Sequence, residues 1–558
     1  MLKFSEIPYQ RLDKDQTIAS IKDYIARFKA AKDGKEQLKI YAEFSNAIDE
    51  AMTMYTLAYV RFTQDTRDEF YNNERDYYDE IIPTLSLATT EFDKAILESP
   101  FRDELATFIP PIVFKNIEIS VRSHDEKLIP EEIEVNKLTS EYSKLMSGIM
   151  IDFNGETLPP SGLGKYFSSS DRELRRGAFE AFGKALSQHK AELDEIYDKL
   201  VKHRTAMGKL LGHDNFSPLG YDQMGRNCYG KDDIAAFRAN VKKYIVPLVS
   251  EIKAKVGADL GIDTMMLYDN SVYTKTEPKP IGTPEEIFAE GAKMYANMGA
   301  DAGELFKLMQ DCEAFDALSR PGKQAGGYCT DVPKYKIPFI FSNFNGTSGD
   351  IEVLTHEFGH ALAFYKACDL PCPHARQMGM ETAEVHSMSM EFLTYPYMEK
   401  FFGDKTDEYK FQHIAGGISF IPYGTIVDYF QQTVYDNPDM TPEERNAFFL
   451  KCMQEFMPSA SVEGMTFFEE GRYWQRQGHI FESPFYYIDY CLAQFTAFQF
   501  LALAEKDYDD AYARYMKFLR QAGSKPFTEL LDSVGLKSPF EEESFVMIVD
   551  IVRKLLKL

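Results

Sequence analysis

One short segment constrains this chain more than any other. The run Asp350–Ala363 contains His356, Glu357 and His360 in the pattern His-Glu-x-x-His. On an α-helix, residues four apart lie one turn apart on the same face, so both imidazoles can reach a single ion. Glu357 then lies beside the open coordination position, where a carboxylate can accept a proton from bound water. The segment therefore predicts a helix that carries two metal ligands and a general base.

The residues around this motif favour a buried helix. Gly359 lies inside the segment, where glycine costs about 1 kcal/mol relative to alanine. We therefore expect a neighbouring element to pack closely against Gly359. The apolar residues that surround the histidine pair at helical spacings are Ile351, Val353, Leu354, Phe358, Leu362 and Phe364.

A catalytic zinc site takes three protein ligands and keeps a position for water, so a third ligand must lie elsewhere in the chain. A second helix is predicted over 380–393, with Glu384 and Glu391 on one face. Burying two carboxylates on such an apolar helix is costly without a cation. We choose Glu384 as the third ligand and place Glu391 behind it. Glu381, His386 and Glu391 itself are the alternatives that the spacing leaves open.

Two other metal arrangements are disfavoured. The metzincin pattern is excluded because Ala363 and Lys366 stand where that class has glycine and histidine. Cys368, Cys372 and His374 have the spacing of a second metal site, but buried thiols around a proline-rich turn are the favoured interpretation. We therefore predict one metal ion per chain.

The composition excludes several classes of protein. The 62 Lys and Arg residues against 87 Asp and Glu residues give a net charge of −25, which argues against nucleic acid or an anionic membrane as a partner. The seven cysteines are an odd number and are scattered, as in a reducing compartment. The first residues lack the apolar core of a signal peptide, and no run of about 18 apolar residues occurs. The expectation is a cytoplasmic protein.

Helical periodicity dominates the chain, so the predicted fold is mainly α. Two β elements interrupt it. The first is a hairpin in which Ile149–Phe153 precedes the tight turn Asn154-Gly155. The second is a strand at Lys336–Ser342, where Pro338 predicts an edge position or a strand end.

Three motifs in order along the chain carry a resemblance to a known family. They are the HEFGH helix, a Glu-x₆-Glu helix that starts 24 residues after His360, and a tail between Gly478 and Tyr490. Together they resemble the thimet oligopeptidase / oligoendopeptidase F family of zinc peptidases, and most closely its oligoendopeptidase F branch. Residues 153–215 are similar to the amino-terminal domain junction of oligoendopeptidase F. The resemblance covers residues 145–500.

The resemblance implies a fold and an activity. The fold is a large helical, two-lobed body with a deep substrate channel and a small β-sheet beside the HExxH helix. We expect an amino-terminal helical region at residues 1–170 and a catalytic region at 171–558. The implied enzyme is a zinc-dependent metalloendopeptidase that hydrolyses short, unstructured oligopeptides, with zinc-bound water as nucleophile.

The resemblance also assigns roles around the metal. It implies zinc ligands at His356, His360 and Glu384, with Glu357 as the catalytic base. Glu352, four residues before the first histidine, matches a family acid that supports the site. Glu391 matches the acid seven residues after the third ligand.

A histidine and nearby tyrosines donate hydrogen bonds to the scissile carbonyl oxygen in this family. His479 and Tyr490 match these positions here. The second tyrosine is Tyr486 or Tyr487, depending on which branch is aligned. The loop Ile480–Phe485 lacks the glycine pair of the thimet branch, so the loop mobility known in that branch is not implied for this chain.

The strand before the metal helix is a candidate for substrate binding. An edge strand can pair with an extended peptide backbone, which makes recognition broad in sequence. We therefore expect Phe339, Ile340 and Phe341 to bind substrate.

Two rival functions are weighed against the peptidase. A di-iron site would use Glu357 and His360 as one Glu-x-x-His unit, but it needs a second unit and the sequence has none. A non-catalytic peptide-binding protein on the same fold is the remaining alternative. It is disfavoured because both histidines, the base and Glu384 are all present.

Overall fold

The computed structural model describes residues 2–558. As predicted, the chain is mainly helical, with 72% of its residues in helices and 5% in strands. Its contacts divide it into two compact units, each built from three segments. The first unit contains the described residues up to His124, together with Pro278–Thr406 and Leu503–Leu536. The second contains Asp125–Glu277, Asp407–Ala502 and Lys537–Leu558.

The α-helices are, in chain order, α1 Lys14–Ala30, α2 Gly34–Gln64, α3 Glu69–Leu97, α4 Arg102–Leu105, α5 Pro111–Ser123, α6 Ile129–Gly148, α7 Gly164–Phe167, α8 Arg172–Ser187, α9 Lys190–Leu210, α10 Ser217–Gln223, α11 Lys231–Asn240, α12 Val246–Leu260, α13 Pro284–Met298, α14 Ala300–Asp311, α15 Gly349–Ala367, α16 Met380–Leu393, α17 Glu399–Phe402, α18 Thr406–Asp436, α19 Pro442–Phe456, α20 Thr466–Glu469, α21 Gly478–Glu482, α22 Tyr487–Ala504, α23 Tyr508–Gln521, α24 Phe527–Ser533 and α25 Glu542–Leu556. The strands are β1 Ile151–Phe153, β2 Glu156–Leu158, β3 Phe315–Leu318, β4 Tyr328–Val332 and β5 Ile337–Phe344.

The predicted hairpin is confirmed. Strands β1 and β2 pair antiparallel, with Phe153 opposite Glu156. The two residues between them, Asn154 and Gly155, have φ values of 50° and 79°. A primed turn requires positive φ at both positions, which asparagine and glycine adopt most easily.

The strand predicted at Lys336–Ser342 is confirmed as β5, and Pro338 lies at its start, one of the two predicted positions, but the predicted edge position of the strand is wrong. Strand β5 is the central strand of a three-stranded sheet, parallel to β3 on one side and antiparallel to β4 on the other. Phe339, Ile340 and Phe341 are buried. Ile340 and Phe341 pair with strands on both sides and Phe339 pairs with β4, so this segment is not the open edge that we expected to pair with a substrate. Pro338 is tolerated because it is the second residue of β5, before the pairing with β3 begins.

The sheet leads directly into the predicted metal helix. After β5 the chain turns, and the backbone N–H groups of Asn345 and Gly346 donate to the Asp350 carboxylate at 2.9 and 2.8 Å. Helix α15 then buries Phe358 against the rings of Tyr295 and Phe306, with ring centroids 3.8 and 5.5 Å away. These contacts fix the helix on the side opposite the histidines.

Helices α15 and α16 pack closely at Gly359, as predicted. A Cβ atom at this position would lie 2.6 Å from the backbone oxygen of His386 and 2.7 Å from the Cα of Ser387. Real Cβ atoms do not approach backbone atoms so closely, so only glycine allows the two helices to come this near. The approach of α16 to α15 therefore depends on the missing side chain of Gly359.

The two units are defined by contacts in space, and each combines segments that are far apart along the chain. The division into residues 1–170 and 171–558 is a division of the sequence, and it stays a prediction. Among the described helices, none combines the length and apolar character needed to cross a membrane.

We predict that Gly359→Ala destabilises the first unit by about 1–3 kcal/mol, because the added methyl group forces α16 away from α15. The matched control is Gly291→Ala on α13, where the added atom would meet Phe306 at an ordinary 3.4 Å. Alanine is the better helix former by roughly 1 kcal/mol, so the control should be neutral or stabilising. Calorimetric unfolding of chelator-treated protein measures both, and equal melting temperatures for the two variants would contradict the prediction.

Candidate metal centre and tyrosine cluster

Three predicted ligands meet in the first unit. The ring centroids of His356 and His360 on α15 are 5.0 Å apart. Both Nε2 atoms point to one carboxylate oxygen of Glu384 on α16, at 3.4 and 3.6 Å. Within the described part of the chain, these residues form the group of three whose donor atoms all lie within 4.8 Å of one another.

This donor set fits zinc. Two ligands at about 2.0–2.1 Å from a tetrahedral zinc ion lie roughly 3.3 Å apart, close to the observed nitrogen–oxygen distances. Two imidazoles and one carboxylate are also the three-ligand set of a catalytic site that keeps one position for water. The residues could therefore hold one zinc ion without rearrangement of the helices.

A second layer of hydrogen bonds orients the ligands. The Nδ1 of His356 lies 2.7 Å from the Glu391 carboxylate, which leaves Nε2 directed at Glu384. The Ser387 hydroxyl, one turn along α16, donates to the Glu384 carboxylate at 3.1 Å. Such partners fix ring orientation and raise ligand basicity in metal sites. Glu352 lies in the same region as Glu391. Burial is the main cause of the raised pKa of Tyr395, and the negative charges of Glu391 and Glu352 raise it further.

Burial and charge act differently on the two central carboxyl groups. Burial opposes ionisation of Glu384, but hydrogen bonds from His356 and His360 outweigh it and hold its pKa below the usual range. Burial raises the pKa of Glu357, and the two neighbouring histidines only partly oppose it. Glu384 is thus held as an anion, while Glu357 has an increased affinity for a proton.

Strand β4 passes close to Glu357. A Cβ atom built on Gly327, the residue before β4, would lie 3.8 Å from Glu357 Oε1 and 3.3 Å from Val353. Strand β4 is an outer strand of the sheet. Sequence reasoning missed this element, although the Gly326-Gly327 pair was a signal of a close backbone approach.

The alternative third ligands lie elsewhere. His386 is completely buried and its ring packs edge-on against Phe518 at 5.3 Å. Glu381 is buried near the start of α16 and is not part of the three-residue group. Glu391 contacts Nδ1 of His356, not the Nε2 atom that faces Glu384. The spacing left these choices open because all four residues lie on one helix, and only the position of α15 selects Glu384.

The cysteine-rich turn after α15 is a hydrogen-bonded structure. His374 lies between the Tyr41 hydroxyl, 2.6 Å from Nδ1, and the Asp93 carboxylate, 3.1 Å from Nε2. The thiol of Cys372 is 3.4 Å from the same Tyr41 hydroxyl. Both imidazole nitrogens are therefore engaged by protein groups, in agreement with the favoured interpretation of this turn.

The predicted histidine and tyrosines cluster in the second unit. The hydroxyls of Tyr490 and Tyr486 are hydrogen-bonded at 2.9 Å. The His479 ring lies 5.8 Å from Tyr486, 4.8 Å from Tyr487 and 6.1 Å from Tyr490. Tyr487 instead packs its ring against Phe420 and Tyr423. The hydroxyl of Tyr490 is thus hydrogen-bonded to that of Tyr486, which favours Tyr486 over Tyr487 as its partner.

Two hydrogen bonds in series determine which ring nitrogen of His479 carries the proton. The Tyr423 hydroxyl donates to the Gln477 side-chain oxygen at 2.9 Å, so the Gln477 amide nitrogen faces His479 Nδ1, also at 2.9 Å. Nδ1 then accepts this hydrogen bond and the ring proton lies on Nε2. Burial lowers the pKa of His479, which favours the neutral ring. His479 can therefore donate through Nε2.

The chain is similar to proteins of one known family. Two family models match: Peptidase M3 N-terminal domain at residues 4–124 and Peptidase family M3 at residues 313–546. Oligopeptidase PepF of Bacillus subtilis (strain 168) is 23% identical over 540 residues, covering 87% of this chain and 74% of the relative. The structure of PZ peptidase A with inhibitor 2 is 39% identical, with a TM-score of 0.93 and coverage of 100% and 99% of the two chains. A structure from Bacillus anthracis str. Ames, described as a candidate oligoendopeptidase F, is 35% identical, with a TM-score of 0.89 and coverage of 100% and 98%.

We predict that Glu391→Ala weakens zinc binding about 10- to 100-fold, because His356 loses the partner that orients its ring. The matched control is Glu399→Ala, which removes an exposed carboxylate from the next helix of the same unit. Competition with a chromophoric chelator measures both affinities. Unchanged zinc affinity in Glu391→Ala would show that this carboxylate does not support the site.

Proposed function

Because the chain belongs to peptidase family M3, in its oligoendopeptidase F branch, we propose that it is a zinc-dependent endopeptidase acting on short, unstructured oligopeptides. Membership makes the chain a peptidase with peptide substrates. The observation that supports zinc is the convergence of His356, His360 and Glu384 on one point. The two histidines, Glu384 and Glu357 would all serve this one reaction.

Glu357 is the proposed general base. A zinc ion held by the three ligands would supply Lewis-acid polarisation and an acidified water near neutral pH. Glu357 lies beside the ligands and is almost fully buried, where its carboxylate can accept a proton from a water at the open coordination position. It takes the proton of the attacking water and then passes it to the leaving nitrogen.

Tyr490, Tyr486 and His479 are the proposed donors to the scissile carbonyl oxygen. Negative charge develops on this oxygen as the carbonyl is attacked, and preorganised donors stabilise it. The hydrogen-bonded tyrosine pair and the Nε2 proton of His479 supply such donors. No group in this cluster has to change its protonation state in order to donate.

Strand β4 is the proposed partner of the extended substrate backbone. It is an outer strand, and the residue that precedes it lies against Glu357. Pairing through backbone groups would place a peptide beside the base with little dependence on its side chains. A non-catalytic peptide-binding protein could use the same strand, so activity is what separates the two functions.

The first test is turnover. The purified protein should cleave a quenched fluorescent oligopeptide, lose activity on chelation and regain it with zinc. Glu357→Gln should bind zinc normally but lower kcat about 10²–10⁴-fold, as expected for removal of a general base. Glu399→Gln is the control and should remain fully active. A wild-type protein that binds zinc and peptide without cleaving it would favour the non-catalytic alternative.

The second test separates the tyrosines. Tyr490→Phe and Tyr486→Phe should each lower kcat, by about 10²–10³-fold if the lost hydroxyl is an oxyanion donor, with little change in KM. Tyr487→Phe is the control, because this ring packs against other aromatic residues outside the hydroxyl pair. Steady-state kinetics on one peptide compares the three variants. A larger loss in Tyr487→Phe than in Tyr486→Phe would reverse the assignment.

A further inference from the structure

A fully buried arginine lies behind the tyrosine cluster. The Nη2 of Arg226 donates to the backbone oxygen of Phe485 at 2.5 Å and to the Asp489 carboxylate at 3.3 Å. The side chains of Arg226 and Asp489 are each only 1% exposed. One guanidinium therefore holds both the residue before Tyr486 and the residue before Tyr490.

The backbone at Phe485 is strained. Its φ is +67°, a left-handed conformation that is unfavourable for a bulky residue. The ring of Phe485 is completely buried against Gly220, where an added Cβ would lie 2.7 Å from it. Its backbone N–H donates to the Gln431 side chain at 3.1 Å. Such a conformation persists only where the surroundings over-determine it, and here both polar groups of the Phe485 backbone are held by side chains.

The other end of the segment is held in the same way. The Tyr229 hydroxyl donates to the Asp489 carboxylate at 3.1 Å, beside the contact with Arg226. The guanidinium lies over the Tyr221 ring at 4.2 Å. Burial raises the pKa of Asp489 to about 6, and Arg226 opposes this increase. The charge of Arg226 thus favours the anion that the neighbouring hydroxyl also binds.

A second buried arginine acts on the preceding stretch. The Nη2 of Arg204 donates to the backbone oxygen of Phe481 at 2.5 Å, and its Nη1 donates to the Tyr435 hydroxyl at 2.9 Å. Phe481 follows His479 in the short helix α21. The chain between His479 and Tyr490 is therefore held at two carbonyl groups by two guanidinium groups.

We propose that Arg226 is a positioning residue that fixes the hydroxyls of Tyr486 and Tyr490 before substrate arrives. The role of these tyrosines in catalysis rests on the function proposed above. Arginine suits the task because its guanidinium stays charged even when completely buried, whereas a buried lysine ammonium readily loses its proton. The segment is thus held by buried charges in the absence of a peptide.

The test combines kinetics with hydrogen exchange. Arg226→Gln should lower kcat by about 10²-fold with little change in KM, since a displacement near 1 Å has effects of this size. Arg226→Lys should have an intermediate kcat. In a background that carries both Tyr486→Phe and Tyr490→Phe, Arg226→Gln should cause a much smaller further loss, because the hydroxyls that it positions are already absent. Zinc content should match wild type throughout.

The matched control is Arg445→Gln. Arg445 is equally buried in the same unit, at 1% exposure, but is paired with Asp198. It should lower the melting temperature without a selective loss of kcat in the folded protein. If Arg226→Gln is too unstable to measure, Arg226→Lys is compared with wild type instead, and its kcat should again be lowered with little change in KM.

Hydrogen-exchange mass spectrometry of residues 478–490 measures how firmly this segment is held, and the measurement does not depend on catalytic activity. Faster exchange in Arg226→Gln and unchanged exchange in Arg445→Gln are expected. If wild type is inactive but this pattern appears, the proposed peptidase function fails and the positioning by Arg226 stands. If wild type is active and Arg226→Gln keeps both its kcat and its exchange protection, the positioning role is overturned.

Discussion

The close contact of α15 with α16 is the interaction on which the metal centre depends. Two histidines on one helix supply a pair of donors, but the third donor comes from a helix that must approach almost to backbone contact. Gly359 makes this possible because it presents no Cβ to His386 and Ser387. The packing of Phe358 on the opposite side holds α15 against its own unit. Metal-ligand geometry is thus a consequence of helix packing.

Both parts of the candidate catalytic machinery are held by buried polar groups. In the first unit, Glu391 and Ser387 orient the ligands through charge-assisted hydrogen bonds. In the second unit, Arg226 and Gln431 hold the backbone that carries the tyrosines. Buried charges are costly to desolvate, and we propose that these serve to fix one arrangement rather than to add stability. This is the preorganisation that transition-state stabilisation requires.

The central position of β5 in the small sheet changes which strand is proposed to bind substrate. The proline in β5 indicated an edge position or a strand end. Pro338 lies at the strand end, outside the register with β3, so it does not prevent the strand from being central. The strand proposed to pair with a peptide is then the outer strand β4, whose approach to Glu357 is marked by glycine instead of by an apolar run. A proline removes the backbone N–H donor of one residue only. It therefore does not indicate whether the other residues of the strand pair with one neighbouring strand or with two.

Local patterns determined much of what this protein is. The spacing of His356 and His360 placed both ligands on one helical face, and Asn154-Gly155 predicted the hairpin turn, because these features depend only on neighbours along the chain. The glycine at 359 likewise predicted a close neighbour.

Only the tertiary structure decided among equivalent residues. Glu381, Glu384, His386 and Glu391 share one helix, and the position of α15 selects Glu384. Tyr486 and Tyr487 are adjacent in sequence, and the turn at Phe485 directs Tyr486 to Tyr490. Arg226 lies more than 250 residues from the segment that it holds, a contact that no local spacing can encode.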